Sequence, residues 1–477
     1  MSTIFEFCLQ DFTDRQLLPS EKLFTPLSLG AICSYWRDIA CSTPSLWSSL
    51  VVRDPNRHEP HIVTGIAQEW LGRSGRLPLS IRILSTFDNE SVSALVDIIN
   101  QYSNRWSDLD LSIPDHCYQL LHATDNHAPI LKSIQFHCQV NWDNFSTINL
   151  NFQLNCPRLE RASLLDFPMD GTNIQWDNLT HLTLCFMSMF DSFLILRKTP
   201  RLVFYELSGY GSNRRFEERD IGPPVLLSLR SLQLLIDIDA EDVLDNLITT
   251  QLEESSLPRH YSPLIEDITS FLRRSACSLR SLSMVFPDYS EDYMNLLQSI
   301  PSLTTLSILS LSTRNLANTS PDNDNSRNIF ELVAKVLSSQ STSLRHGFLP
   351  NLKVLEYTGN LYYLQSGNYE DLCPLPPTDN TVHRPLRLLK LDLQYSTTTR
   401  IPKKMVSYIS SLGDRGVTVN VLSDSKDILQ SSIDYYKCKE DFLCQDWIES
   451  FDSTLFSWLG LLWEGKYISS WSTRMQW

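Results

Sequence analysis

One pattern recurs along most of this chain: an apolar residue, two residues of any kind, an apolar residue, one residue of any kind, and a third apolar residue. It opens at Trp106/Leu109/Leu111 and returns at Leu131/Ile134/Phe136, Leu159/Ala162/Leu164, Leu179/Leu182/Leu184 and Leu202/Tyr205/Leu207. It continues through Leu229/Leu232/Leu234, Leu279/Leu282/Met284, Leu303/Leu306/Ile308, Leu352/Leu355/Tyr357 and Leu386/Leu389/Leu391. Successive starts lie 25, 28, 20, 23, 27, 50, 24, 49 and 34 residues apart. The two long gaps are near twice the short ones, as if each held a degenerate copy or an insertion. Residues two apart on a strand point to one face, so the last two apolar positions of each copy mark the buried face of a short strand. The first packs at the turn entering it. One copy cannot bury that face alone, whereas copies stacked side by side can.

A period in the twenties with Leu-x-x-Leu-x-Leu is the signature of leucine-rich repeats, one strand and then a helix per unit. The asparagine that normally follows is mostly missing, so the array is expected to be irregular. An ordinary α/β domain with leucine-rich strands is the alternative. Helices are expected between the strands at residues 189–198, 239–252, 263–275, 291–299 and 329–338. Residues 209–224 and 316–327 read as polar loops. A last helix at 403–412 and strand at 417–421 close the array.

Ahead of the array, residues 31–50 read AICSYWRDIACSTPSLWSSL. Ile32, Tyr35, Trp36, Ile39 and Ala40 recur at the spacing of one helix face, with Arg37 and Asp38 on the other side. Pro44 disfavours a helical conformation at Thr43 and stops that helix, and it can itself open the next one. Leu46, Trp47 and Leu50 follow as a second apolar cluster, which suggests a small helical core. Residues 62–72 then have helical spacing, with Gly75 where a C-terminal cap wants glycine. Residues 77–84 alternate like a strand, and 91–102 form another amphipathic helix.

Three of these blocks also resemble a known family. Cys33-x-x-Trp36-Arg37-x-Ile39-Ala40 with Thr43-Pro44-x-Leu46-Trp47-x-x-Leu50 resembles the second half of an F-box, in the form common in mushroom-forming fungi. Ile4-Phe5-x-x-Cys8-Leu9 is similar to the upstream "IFxxCL" segment of that group. Trp70-Leu71-x-Arg73-Ser74-Gly75-x-Leu77-Pro78-Leu79 is similar to the segment that follows its F-box. The family's Leu-Pro-x-Glu-Ile-Leu segment has no counterpart ahead of Ile4, so the first helix of the module is expected to be truncated. Leu18 to Leu23 spells something similar, but out of order and with Lys22 in an apolar place. The resemblance implies a substrate receptor of a Skp–cullin–F-box ubiquitin ligase. Ile4, Phe5, Leu9, Cys33, Trp36, Arg37, Ile39, Pro44, Leu46 and Trp47 would then dock a Skp-type adaptor, and through it a cullin. The repeats would bind a protein target. A repeat scaffold without ligase coupling is the alternative.

The expected organisation is α/β: an F-box-like helical module at 1–52, linker helices and a first strand at 53–104, an irregular leucine-rich-repeat solenoid at 105–422, and a tail at 423–477. The tail holds Trp447, Trp458, Trp463, Trp471 and Trp477, and is expected to cap the open end of the array or to recruit a partner. A net charge of −15 argues against a nucleic-acid surface. Eleven scattered cysteines without a CxxC pair fit reduced thiols. No apolar run is long enough to span a bilayer, and the acidic first twenty residues do not read as a signal peptide, so a cytoplasmic or nuclear protein is expected. No cofactor or metal is expected, and the densest His/Cys group (His116, His122, His127, His137, Cys138) matches no tight zinc spacing. His137 and Cys138 are expected on opposite faces of a strand. No acid, base and nucleophile assemble, so intrinsic catalysis is not expected.

Overall fold

A computed structural model of the chain describes residues 26–55, 59–85, 90–123, 127–139, 152–167, 169, 171–209, 224–235, 240–257, 265–285, 291–309, 333, 348–359, 386–393, 401, 403–413, 416–423 and 426–444. The protein is mixed α/β and is built on a large, mostly parallel sheet. The sheet runs through β1 (Ser49–Arg53), β2 (Leu79–Leu84), β3 (Trp106–Pro114), β4 (Ser133–Gln139), β6 (Arg161–Leu165), β8 (His181–Cys185), β9 (Phe204–Ser208) and β10 (Ser231–Leu234). It continues through β11 (Glu254–Ser256), β12 (Ser281–Val285), β13 (Thr305–Leu309), β14 (Val354–Gly359), β15 (Leu388–Leu393), β16 (Thr418–Ser423) and β17 (Lys426–Asp427). β5 (Phe152–Leu154) and β7 (Thr172–Ile174) pair separately, in two connections that carry strands where others carry helices. Spatial order in the main sheet follows chain order, and β16–β17 is its one antiparallel pair among the described residues.

The register explains why the apolar pattern is written as it is. Its middle positions align across the sheet as one ladder, Leu109–Ile134–Ala162–Leu182–Tyr205–Leu232–Ser255–Leu282–Leu306–Leu355–Leu389. Its last positions align as a second ladder two residues on, through Leu111, Phe136, Leu164, Leu184, Leu207 and Leu234, then Met284, Ile308, Tyr357 and Leu391. Both ladders are buried, as are the first positions from Trp106 to Leu352. Ser or Asn just before several of those first positions binds a carbonyl of the preceding unit. Asn178 Nδ2 donates to Pro157 O (2.7 Å), Ser302 Oγ to Leu279 O (2.7 Å) and Asn351 Nδ2 to Pro301 O (3.0 Å).

The long gaps have different causes. The first hides β11, where Leu252, Ser255 and Leu257 occupy the three positions; Ser255 is buried in the ladder but breaks the apolar spelling. The second is an insertion, because β13 pairs directly with β14. The sheet also begins earlier than the sequence suggests. β1 and β2, assigned above to the module and linker, are its first two strands, and Leu50 belongs to the main core rather than to the helical cluster.

The helices α3 (Pro60–Arg73), α4 (Glu90–Asn100), α5 (Asp115–Leu120), α6 (Met189–Leu196), α7 (Ala240–Asp245), α8 (Ile265–Ser275), α9 (Glu291–Gln298) and α10 (Lys403–Gly413) bury apolar residues in the same core as the ladders. α7 is shorter than expected because the chain must reach β11. Among the aromatics of this core, Tyr118 stands against Phe136 and Phe167, with ring centroids 5.4 and 5.2 Å away. Its hydroxyl donates to Leu111 O at 2.6 Å, and burial raises its pKa well above the usual tyrosine value. Burial likewise pushes the Cys156 thiol up to about 12. The tail begins as α11 (Leu429–Cys444), which brings Ile428, Leu429, Ile433 and Tyr436 onto the core beside the last strands. Its Ser432 hydroxyl accepts from Ile401 N at 3.0 Å. The five tail tryptophans, the loop at 316–327 and, apart from the buried, helical Val333, the expected helix at 329–338 lie outside the described residues. No described helix is long and apolar enough to cross a membrane.

Strand ends use left-handed residues to turn off the sheet. Asp54, Asp166 and Phe186 have φ of 45°, 51° and 54°, and each donates its N–H to the neighbouring strand. Gly209 (φ 79°) follows β9, and a Cβ there would lie 2.5 Å from Cδ1 of Phe186. Gly209→Ala is therefore expected to cost about 1–3 kcal/mol, from the left-handed backbone plus the ring clash. In a Phe186→Ala background the same change should cost only about 1 kcal/mol, since the backbone part alone remains. Urea denaturation of the four-member cycle checks it; equal costs in both backgrounds would remove the ring from the account.

Candidate functional site

At the first edge of the sheet, the chain folds into a small helical module. It holds α1 (Pro26–Ile32), α2 (Ser34–Cys41) and a 3-10 turn at Pro44–Trp47. The break between α1 and α2 falls at Cys33, whose backbone is extended and whose Sγ accepts from Trp36 N at 3.4 Å. Arg37 Nε reaches back to Gly30 O at 2.9 Å and ties the two helices. Ser42 and Thr43 turn their hydroxyls onto Asp38 O and Ile39 O (2.7 Å each) and end α2 ahead of Pro44, as the Ser-Thr-Pro spelling anticipates.

The core of the module is Leu29, Ala40, Leu46 and Trp47, with Trp36, Ile39, Cys41 and Trp70 packed against it. Trp47 is 2% exposed, and its indole N–H donates to Ala40 O at 2.7 Å. Burying an aromatic of about 150–250 Å² at about 25 cal/mol per Å² is worth roughly 4–6 kcal/mol. The hydrogen bond adds about 1 kcal/mol, so packing dominates and the bond orients the ring.

The segment from Trp70 to Leu79 is what clamps this module to the sheet. Trp70 meets Trp47 edge-on at 4.9 Å and donates its indole N–H to Ser49 O at 3.0 Å. The Arg73 guanidinium stands 4.7 Å over the Trp47 ring, donates to Cys41 Sγ at 3.0 Å and pairs with Glu69 at 2.8 Å. Ser74 is fully buried, donates to Leu71 O and accepts from Arg105 Nη2 at 2.5 Å; Arg105 Nε also reaches Leu77 O. Gly75 turns the end of α3 at φ 61°, with its open side toward Pro44. The Trp, Arg, Ser and Gly of this block thus each touch the module or fix the turn beneath it. Arg105 and Cys41 are not legible as partners in the sequence, because both contacts join residues more than 30 positions apart.

The residues expected to dock an adaptor separate into three groups. Cys33, Arg37 and Pro44 are exposed, and Trp36 and Ile39 are half-buried. Leu46 and Trp47 point into the module's own core. Ile4, Phe5 and Leu9 lie outside the described residues. The expected single helix face through Ile32, Tyr35, Trp36, Ile39 and Ala40 is not formed. The extended Cys33 breaks the phase, so Ile32 is 58% exposed, and the inward stripe of α2 is Trp36, Ile39 and Ala40, which leaves Tyr35 63% exposed. With Leu27, 53% exposed, they are apolar side chains facing water on the module.

The sheet face away from the helices offers a second site. A groove of about 610 Å³ crosses β1 to β8 and includes Arg82, Asp110, Ser112, Gln135, His137 and Thr183 in its lining. Arg82 and Asp110 pair at 2.6 Å. His137 faces the groove and meets Ser112 Oγ at 3.1 Å, while Cys138 is buried on the opposite side, as their adjacency on a strand requires. Burial lowers the His137 pKa and favours its neutral form. No carboxylate is hydrogen-bonded to the His137 ring among the described residues, so the Ser–His pair lacks the group that orients an imidazole as a base. No group of three or more His, Cys, Asp or Glu that could hold a metal is present among the described residues. Farther along, burial raises the pKa of Glu206. The face offers hydroxyls, amides and paired charges, a surface suited to hydrogen bonding.

No protein-family model and no curated protein matches the chain.

Trp47→Ala and Trp70→Ala are each expected to lower stability by about 3–5 kcal/mol, through the space left in the module. Ile32→Ala and Tyr35→Ala should stay within about 0.5 kcal/mol of the parent. Thermal denaturation followed by tryptophan fluorescence and circular dichroism separates the two groups; a large loss from Tyr35→Ala would mean that its ring is packed in solution.

Proposed function

We propose that this chain is a substrate-receptor subunit of a ubiquitin ligase of the Skp–cullin–F-box type. In this reading the helices before β1 are the adaptor-docking F-box, and the sheet is an irregular leucine-rich-repeat array that binds a protein target. The observation that carries the reading is the assembly of two F-box-like blocks, distant in sequence, into one clamped unit with apolar residues left facing water. Trp36, Trp47, Trp70 and Arg73 are then mainly structural. Docking falls to the exposed Leu27, Ile32 and Tyr35, with Cys33, Arg37 and Pro44 beside them and the half-buried Ile39 at their edge. Three large apolar side chains exposed on two adjoining short helices, rather than one scattered singly, fit a protein contact. Holding a target beside a conjugating enzyme raises the effective concentration of the acceptor lysine, so the subunit itself performs no bond chemistry. The order of the strands supports the repeat reading, since each unit pairs with the next and buries the same two positions.

Co-expression with a fungal Skp-type adaptor tests the proposal. The full chain should co-purify with the adaptor as a stoichiometric complex. An Ile32→Asp/Tyr35→Ala variant should lose about tenfold or more in affinity while keeping the parent's melting temperature. A folded parent that fails to retain the adaptor, including after a Leu-Pro-x-Glu-Ile-Leu segment is placed ahead of Ile4, would leave a repeat scaffold without ligase coupling as the better account.

A further inference from the structure

The residue entering each strand forms a ladder of its own. Backbone N–H groups join Arg230, Glu253, Arg280, Thr304, Lys353 and Arg387 in that order, each to the carbonyl of the one before, at 2.7–2.9 Å. These positions precede β10 to β15 and lie along one edge of the sheet. Arg230, Arg280, Lys353 and Arg387 are exposed, whereas Glu253 and Thr304 are half-buried. None of the four cations has an ion pair with a described residue, in contrast to Arg82, Arg161, Arg274 and Lys390, each of which sits within 4.0 Å of a carboxylate. The chain as a whole carries −15, with 55 acidic against 40 basic side chains. A row of four cations with no ion pair among the described residues, against one acid, therefore runs against the protein's own composition.

The spacing defines what would fit. Strands lie about 4.8 Å apart, so the row spans about 24 Å from Arg230 to Arg387, with Arg230, Arg280 and Lys353 about 10 Å from one to the next. An extended polypeptide covers that step in three residues at about 3.3 Å each. The occupant follows from charge complementarity: a short acidic segment with carboxylates about three residues apart. A long polyanion such as a nucleic acid fits less well, because it would meet the field of the −15 chain beyond the row and Glu253 within it. We propose that this edge captures an acidic peptide segment of a partner protein. The proposal does not rest on the ubiquitin-ligase reading, since it holds for any role in which the repeats bind a partner.

The test uses the full chain and three fluorescein-labelled probes of twelve units: a peptide with Asp at every third position, the same peptide with Lys in those places, and an oligothymidylate. Fluorescence anisotropy at low salt should show the acidic peptide bound, the lysine peptide unbound and the oligonucleotide weaker than the acidic peptide. Binding should weaken as salt rises. An Arg280→Glu/Lys353→Glu/Arg387→Glu variant, whose replaced side chains make no hydrogen bond or ion pair with a described residue, should keep its circular dichroism and melting temperature, lose about tenfold or more for the acidic peptide, and gain binding to the lysine peptide. Absent binding of the acidic peptide, equal binding of the two peptides, an unchanged affinity in the folded variant, or tighter binding of the oligonucleotide would each overturn the proposal.

Discussion

The structure depends on two apolar ladders that run across the strands of a parallel sheet. Each strand of a parallel pair needs its neighbour twice over, for its backbone hydrogen bonds and for cover on its apolar side chains. In this chain both needs are met by the next unit along. Leu282, for example, lies between Ser255 and Leu306 in register, and all three are buried. Such a sheet has no small closed version. Its stability is distributed along the chain, and its ends require cover. The helical module and α11 pack at the two ends, the one beside β1 and the other beside β16 and β17.

The module illustrates how little local helical propensity explains. α1 and α2 have 7 and 8 residues, well short of the length at which an isolated helix persists in water. They are held by the packing of Trp47 and Trp70 and by the guanidinium of Arg73, which covers the Trp47 ring while binding Cys41 and Glu69. Because Trp70 and Arg73 also belong to α3, the first helix on the sheet, the module and the sheet share one set of contacts. A change in that cluster would disturb both, whereas Ile32 and Tyr35 are exposed enough to carry a separate role.

Much of the fold was legible because strand periodicity is a local property. The alternation around Leu182, Leu306 or Leu389 needs no knowledge of distant residues. Legibility failed where one polar residue replaced an apolar one, as at Ser255 in β11, and where a strand buries a single residue and so shows no alternation, as at β1 (Ser49–Arg53). It failed again at Cys33, where an apolar spacing consistent with one helix face is broken by a single extended residue. Of the candidate docking residues, the sequence named Trp36, Leu46 and Trp47 alongside Cys33, Arg37 and Pro44 without separating them. Composition cannot distinguish a tryptophan that meets a partner from one that fills its own core.

By itself, then, the sequence determined the class of the fold and the face each strand residue takes, since a period of two leaves no other assignment once one face must be buried. It also placed the helix stops at Thr43-Pro44 and Gly75, where backbone preference and short-range hydrogen bonds act. Only the tertiary structure decided which units are neighbours, which apolar residues stay in water, and that Arg230, Arg280, Lys353 and Arg387 stand in one row. Those facts depend on the stacking of units 20 to 50 residues apart. Stacking turns a position that is incidental within each unit into a continuous surface, and no single stretch of chain contains it.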